Sequence, residues 1–170
     1  MKLRKLALSM VVLCLAVPAF AQMSGARGTA EATVKGKKIT IDYGRPNLQG
    51  RDMLSKAQAG TVWRLGMNQA TQLETTGDLT VAGKQLKAGK YSLWAKKTGD
   101  NTWVLAFHPT VPNWGAPELK EGYVAELPLT MGTAKDSAEQ LTISLADMKG
   151  KAGIKIQWGT ALLSGAFDVN

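Results

Sequence analysis

The chain has 170 residues, 45% hydrophobic and 20% charged, and its 21 Lys and Arg against 13 Asp and Glu give a formal charge of +8. That balance excludes a disordered or collagen-like chain, and 18 Gly with 6 Pro are too few for low-complexity sequence yet enough to punctuate many short segments. A single His and a single Cys leave too few soft ligands for a zinc centre.

In chain order, Lys2, Arg4 and Lys5 precede an apolar run from Leu6 to Val17 and then Pro18-Ala19-Phe20-Ala21. A basic start, a short apolar stretch and a small-residue Ala-x-Ala site are the pattern of a secretory signal peptide, with cleavage after Ala21. The run is shorter than the roughly 20 residues a spanning helix needs. The sole cysteine, Cys14, lies within this leader and follows Leu13, so residues 22–170 carry no thiol and no lipidation signal. The expectation is one exported domain over 22–170, periplasmic or secreted.

Beyond Thr29 apolar residues recur with period two, the spacing that places alternate side chains on opposite faces of a strand. Ile39, Ile41 and Tyr43 alternate with Thr40 and Asp42, and Tyr91, Leu93 and Ala95 with Ser92 and Lys96. The same holds for Leu141, Ile143 and Leu145 against Thr142 and Ser144, and for Ile154, Ile156 and Trp158 against Lys155 and Gln157. Residues 102–107 are apolar on both faces, which predicts a central, doubly covered strand.

Turn chemistry separates these segments, at 35–37, 76–78, 82–84, 87–89, 98–101 and 149–151. Such short gaps suit antiparallel hairpins and leave little room for parallel crossovers. The prediction is all-β: a single antiparallel β-sandwich of about eight to ten strands. Two long irregular loops interrupt it, Arg45 to Gly60 and Pro109 to Glu121, the first with a short helical turn at Met53 to Ala59. Binding groups concentrate on such loops.

Candidate chemistry is sparse. No Asp-x-Asp-x-Asp run offers a calcium loop, and no motif calls for a metal or a cofactor. No serine sits in a Gly-x-Ser-x-Gly elbow, and His108 is a weak catalytic candidate with no evident partner. Arg45, Arg51, Arg64 and Asn68, with Trp63, Trp114 and Tyr43, form a more interesting group. Guanidinium forks pair with carboxylate or phosphate, and aromatic faces stack on sugars. The competing reading makes Trp63 core, Arg45 a turn cap and Arg64 a loop anchor paired with Asp42 or Asp52. The lysines at 35, 37, 38, 84, 87, 90, 96 and 97 read mostly as solvated turn and strand-edge residues.

The string Ile41-Asp42-Tyr43-Gly44-Arg45-Pro46, then Gly50-Arg51-Asp52 and Val62-Trp63-Arg64-Leu65-Gly66-Met67-Asn68-Gln69-Ala70-Thr71, resembles the bacterial family called domain of unknown function 2911. Ala88 to Leu93, Trp103, Asn113-Trp114-Gly115, Leu141-Thr142-Ile143 and Ile156 to Gly159 follow in the order that resemblance requires, from about Gly28 to Val169. It implies an exported β-rich protein with no assigned reaction and no catalytic residues to transfer. Two departures from the family pattern are Gln69, where an acid commonly follows the Asn, and Tyr123-Val124-Ala125-Glu126, where an Asp and a later basic residue are common. An acid missing at 69 argues against proton-transfer chemistry.

Three functions follow as expectations. The first is a non-enzymatic binding module for an anionic or glycan-like ligand, with no nucleic-acid partner. Arg45, Arg51 and Arg64 would hold the anion, Asn68 would orient it, and Trp114 with Tyr43 would stack. The second is a metal-independent envelope enzyme acting on a carboxylated or glycan substrate, with His108 moving the proton close to the arginines. The third is a structural or partner-binding envelope protein whose arginines are consumed by internal carboxylates.

Overall fold

The computed structural model describes residues 27–51, 53–112 and 121–170; the leader and Trp114 lie outside the described residues. Among the described residues there are ten strands: β1 (Arg27–Val34), β2 (Lys37–Gly44), β3 (Val62–Trp63), β4 (Gln72–Thr75), β5 (Leu79–Val81), β6 (Lys84–Leu86), β7 (Gly89–Lys97), β8 (Thr102–His108), β9 (Ala125–Asp147) and β10 (Lys151–Val169). The described residues contain no helix, and Met53 to Ala59, expected to include a helical turn, forms turns and irregular backbone.

The strands join in one hydrogen-bonded sheet of order β1-β2-β4-β7-β8-β9-β10-β5-β6, with β3 paired to β7 beside that path. Every ladder is antiparallel. All six predicted turn segments fall at the junctions between consecutive strands, where Gly and polar residues admit the tight reversal.

The period-two reading places the core correctly. Ile39, Ile41, Leu93, Ala95, Leu141, Ile143, Ile154 and Ile156 are buried in one continuous apolar cluster with Leu105, Phe107 and Phe167. Strand β8 lies between β7 and β9 and buries both faces over Leu105–His108, as its double-sided apolar sequence requires. One expectation fails on β7: Ser92, assigned to the wet face, is fully buried. Its hydroxyl donates to the Thr110 carbonyl at 2.7 Å and accepts the Trp94 indole N–H at 3.0 Å, so burial leaves no polar atom stranded there.

The two longest strands bend the sheet. Residues 125–130 of β9 pair with β8, whereas residues 130–147 pair with β10. The β9–β10 register slips on both sides of Gly159, which takes φ +65, a conformation glycine adopts without a steric cost. Bulges of this kind bend a strand and sharpen its twist. The outer edge of β9 beyond residue 138 is thereby brought to the chain that follows β2, where Asn47 and Gln140 form an isolated bridge.

Candidate functional site

The family-like block at the end of β2 is occupied with closing this sheet. Among the described residues no strand ladder covers the edge of β9 facing away from β10 beyond residue 138, and unpaired buried backbone groups are costly. Side chains and backbone of residues 43–49 supply the partners instead. The Tyr43 hydroxyl accepts from the Ile143 N–H at 3.0 Å and donates to the Ile143 carbonyl at 3.3 Å. Arg45 Nε donates to the Leu141 carbonyl at 3.1 Å, and its Nη2 reaches Thr142 Oγ1 at 3.3 Å. The Leu141 N–H donates to the Pro46 carbonyl at 3.1 Å, and the Leu48 N–H to the Glu139 carbonyl at 2.6 Å. Alternate β9 residues 139, 141 and 143 are thus tied to one clamp.

Gly28 of β1 makes room for it. A Cβ there would lie 2.7 Å from Arg45 Cδ and 2.8 Å from the Tyr43 ring. Gly44 serves a second close approach, because a side chain at that position would collide with the Met67 carbonyl. The Trp63-to-Thr71 block therefore packs directly on β2, and the Thr71 hydroxyl secures it by donating to the Leu65 carbonyl at 2.7 Å. Tyr43 is 3% exposed, so the stacking role expected for it is replaced by that of a strut. Among the described residues Arg45 is spent on one carbonyl and one hydroxyl.

The remaining candidates separate. Trp63 lies on β3 with one face stacked on Trp158, ring centroids 5.6 Å apart and planes within 6°. Asn68 takes φ +63, a left-handed conformation that Asn tolerates better than most residues, and so shapes the turn after β3. Arg64 is exposed and makes no ion pair among the described residues. His108 is buried at the end of β8, its Nδ1 accepting the Thr110 N–H at 3.0 Å and its ring edge-on to Tyr123. Among the described residues its hydrogen bond and ring contact go to Thr110 and Tyr123, not to any of the three arginines.

Arg51 stands elsewhere, on the wall of a cavity of about 560 Å³ formed by the loop between β2 and β3. Gly50, Met53, Lys56, Gln58 and Thr61 share that wall. Among the described residues the Arg51 guanidinium meets neutral acceptors, the Leu48 carbonyl at 3.5 Å and Gln49 Oε1 at 3.2 Å. Beneath the loop lies a group the sequence reading missed. Lys97, counted there among solvated lysines, is 6% exposed, with Nζ donating to the Ala57 carbonyl at 2.8 Å and lying 5.9 Å from the Trp103 ring. Among the described residues no carboxylate pairs with it. The signal was available: Lys97 continues the inward register of Leu93 and Ala95.

Ion pairs elsewhere join exposed groups. The Lys87 ammonium, 2.9 Å from Asp78, together with the Ala88 N–H, holds the Asp78 carboxyl below its ordinary value, and Lys87 is raised in return. Among the described residues no group of three or more His, Cys, Asp or Glu is placed to hold a metal ion.

No curated protein and no solved structure matches the sequence. The model of a family described as a protein of unknown function (DUF2911) matches residues 25–166, which include every strand of the fold except the last residues of β10, and the chain belongs to that family.

Proposed function

We propose that this protein is an exported, non-enzymatic module that binds a small anionic or acidic glycan-like ligand in the cavity of the β2–β3 loop. The observation that carries the reading is the positive charge gathered there, with which no carboxylate among the described residues pairs. Arg51 and Lys56 line the cavity, and Lys97 lies buried under Ala57 with one carbonyl as its hydrogen-bond partner. A buried ammonium without a counter-charge is costly, and an anion above it would relieve that cost. Arg51 brings a planar fork suited to carboxylate or phosphate. Arg64, exposed beyond β3, offers a further guanidinium to a longer ligand.

The reading has four supporting points. Arg51 and Arg64 form no ion pairs with carboxylates among the described residues. The lining of the cavity comes from one loop held at both ends, by the β9 clamp and by the bonds of Gly60 and Thr61 to Lys97. The sheet, closed by that clamp, is read as the two packed layers of a sandwich with this loop at one end. Export rests on the leader pattern of residues 1–21.

Thermal unfolding with and without citrate, inorganic phosphate and oligogalacturonate tests the reading, because a ligand that binds only the native state must raise Tm. A rise that saturates, and that Arg51→Ala with Lys56→Ala removes while the unliganded Tm holds, is expected. No rise with any of the three, or a rise untouched by the double variant, overturns the site.

A further inference from the structure

We propose that a second cavity, on the β9–β10 hairpin, binds a single-chain amphiphile with an anionic headgroup. The cavity measures about 430 Å³, within the range of small-molecule sites, and lies away from the β2–β3 loop. Its walls are mostly apolar and include Leu145, Met148, Ile154 and Ala166, with Lys155 as the charged member of the lining.

Two features separate it from ordinary sheet surface. Met148 is 56% exposed, one of few large apolar side chains so placed, and its flexible thioether borders the cavity instead of the core. A Cβ on Gly153 would collide with that thioether, so the strand is cut back to its backbone where Met148 lies across it.

The second feature is charge. Near the hairpin tip the carboxylates are already engaged: Asp147 accepts the Gly150 N–H at 2.7 Å, and Asp168 pairs with Lys151 at 3.0 Å. Lys149, beside Met148, and Lys155 are exposed and carry no ion pair among the described residues. Lys35 closes on the same tip, its Nζ bonded to the Val169 carbonyl at 2.9 Å and its Cε 3.0 Å from where a Gly150 Cβ would sit. An apolar cavity with uncompensated lysines at its margin complements an alkyl chain ending in a carboxylate. A neutral chain would leave the lysines unused, and a cationic one would meet repulsion.

The test is calorimetric titration with octanoate, decanoate, decanol and decyltrimethylammonium, each below its aggregation threshold. Each buried methylene tightens binding about fourfold, so decanoate should bind about 15-fold more tightly than octanoate. Lys155→Glu should weaken decanoate about fivefold and leave decanol unchanged. Ala166→Trp, which fills the cavity, should abolish both, with its folded state checked by circular dichroism. Arg51→Ala should leave decanoate binding intact, which separates this site from the β2–β3 loop. The proposal falls if decanoate does not bind, if octanoate and decanoate bind equally, or if decyltrimethylammonium binds as tightly as decanoate. It also falls if Arg51→Ala rather than Lys155→Glu weakens decanoate.

Discussion

Replacing Tyr43 by Phe removes one oxygen atom from the β9 clamp and nothing from the packing of the ring. In the native protein that oxygen satisfies both the N–H and the carbonyl of Ile143, a residue 3% exposed. Without it both groups stay buried on a strand edge that has no ladder to fall back on. An abandoned buried donor or acceptor costs about 1–3 kcal/mol, and the two together put the loss at about 2–4 kcal/mol because partial rearrangement shares it. For a domain of this size each kcal/mol moves Tm by about 2–4 °C, so the variant should melt roughly 4–16 °C below the wild type. Urea unfolding at fixed pH measures the free energy directly, and amide exchange shows whether the Ile143 N–H has lost its protection. A variant within about 0.5 kcal/mol of wild type, with Ile143 still protected, would refute the clamp, since ordinary surface changes fall in that range.

The other predictions rest on separate contacts. Gly28→Ala places a Cβ 2.7 Å from Arg45 Cδ and should cost about 1–3 kcal/mol; combined with Tyr43→Phe the two losses should be less than additive in a double-mutant cycle, because both disturb one clamp. Lys97→Met should leave unliganded stability within about 1 kcal/mol of wild type, as relief of desolvation offsets the lost bond to Ala57, while citrate affinity measured by calorimetry drops at least about tenfold. Asp78, held below its ordinary 3.8 by Lys87 and the Ala88 N–H, contributes stability that is present above 3.8 and is lost as pH falls through its lowered value. Asp78→Asn should therefore reduce Tm near neutral pH, and the gap to wild type should close as a pH series descends below 3.8.

Much of the fold is legible in the sequence because burial in a sheet has period two. Ile39 and Ile41, or Ile154 and Ile156, announce the inward face, and the Gly-containing turns mark where each strand ends. Ser92 shows the limit: its neighbours place it outward, but a strand covered on both faces buries it, and only the positions of Thr110 and Trp94 explain how its hydroxyl is satisfied. The clamp was illegible for a different reason. Tyr43 and Arg45 carry the residue types of a ligand site, and nothing local reveals that an unpaired edge of β9, about a hundred residues away, takes up their polar atoms. Arg51 stays a candidate because its guanidinium, among the described residues, bonds within its own loop and not to the β9 edge. Lys97 was passed over because lysine usually reports solvent, although its register pointed inward.

The central claim is that the family-like block around Tyr43 and Arg45 holds the sheet closed while ligand chemistry belongs to the β2–β3 loop. Amide chemical shifts of the labelled protein, followed during titration with citrate, test it most directly. The account predicts saturating shifts at Gly50, Arg51, Ala57, Gln58 and Thr61, with Leu141 and Ile143 unmoved. Shifts centred on Tyr43, Arg45, Leu141 and Ile143 would contradict it.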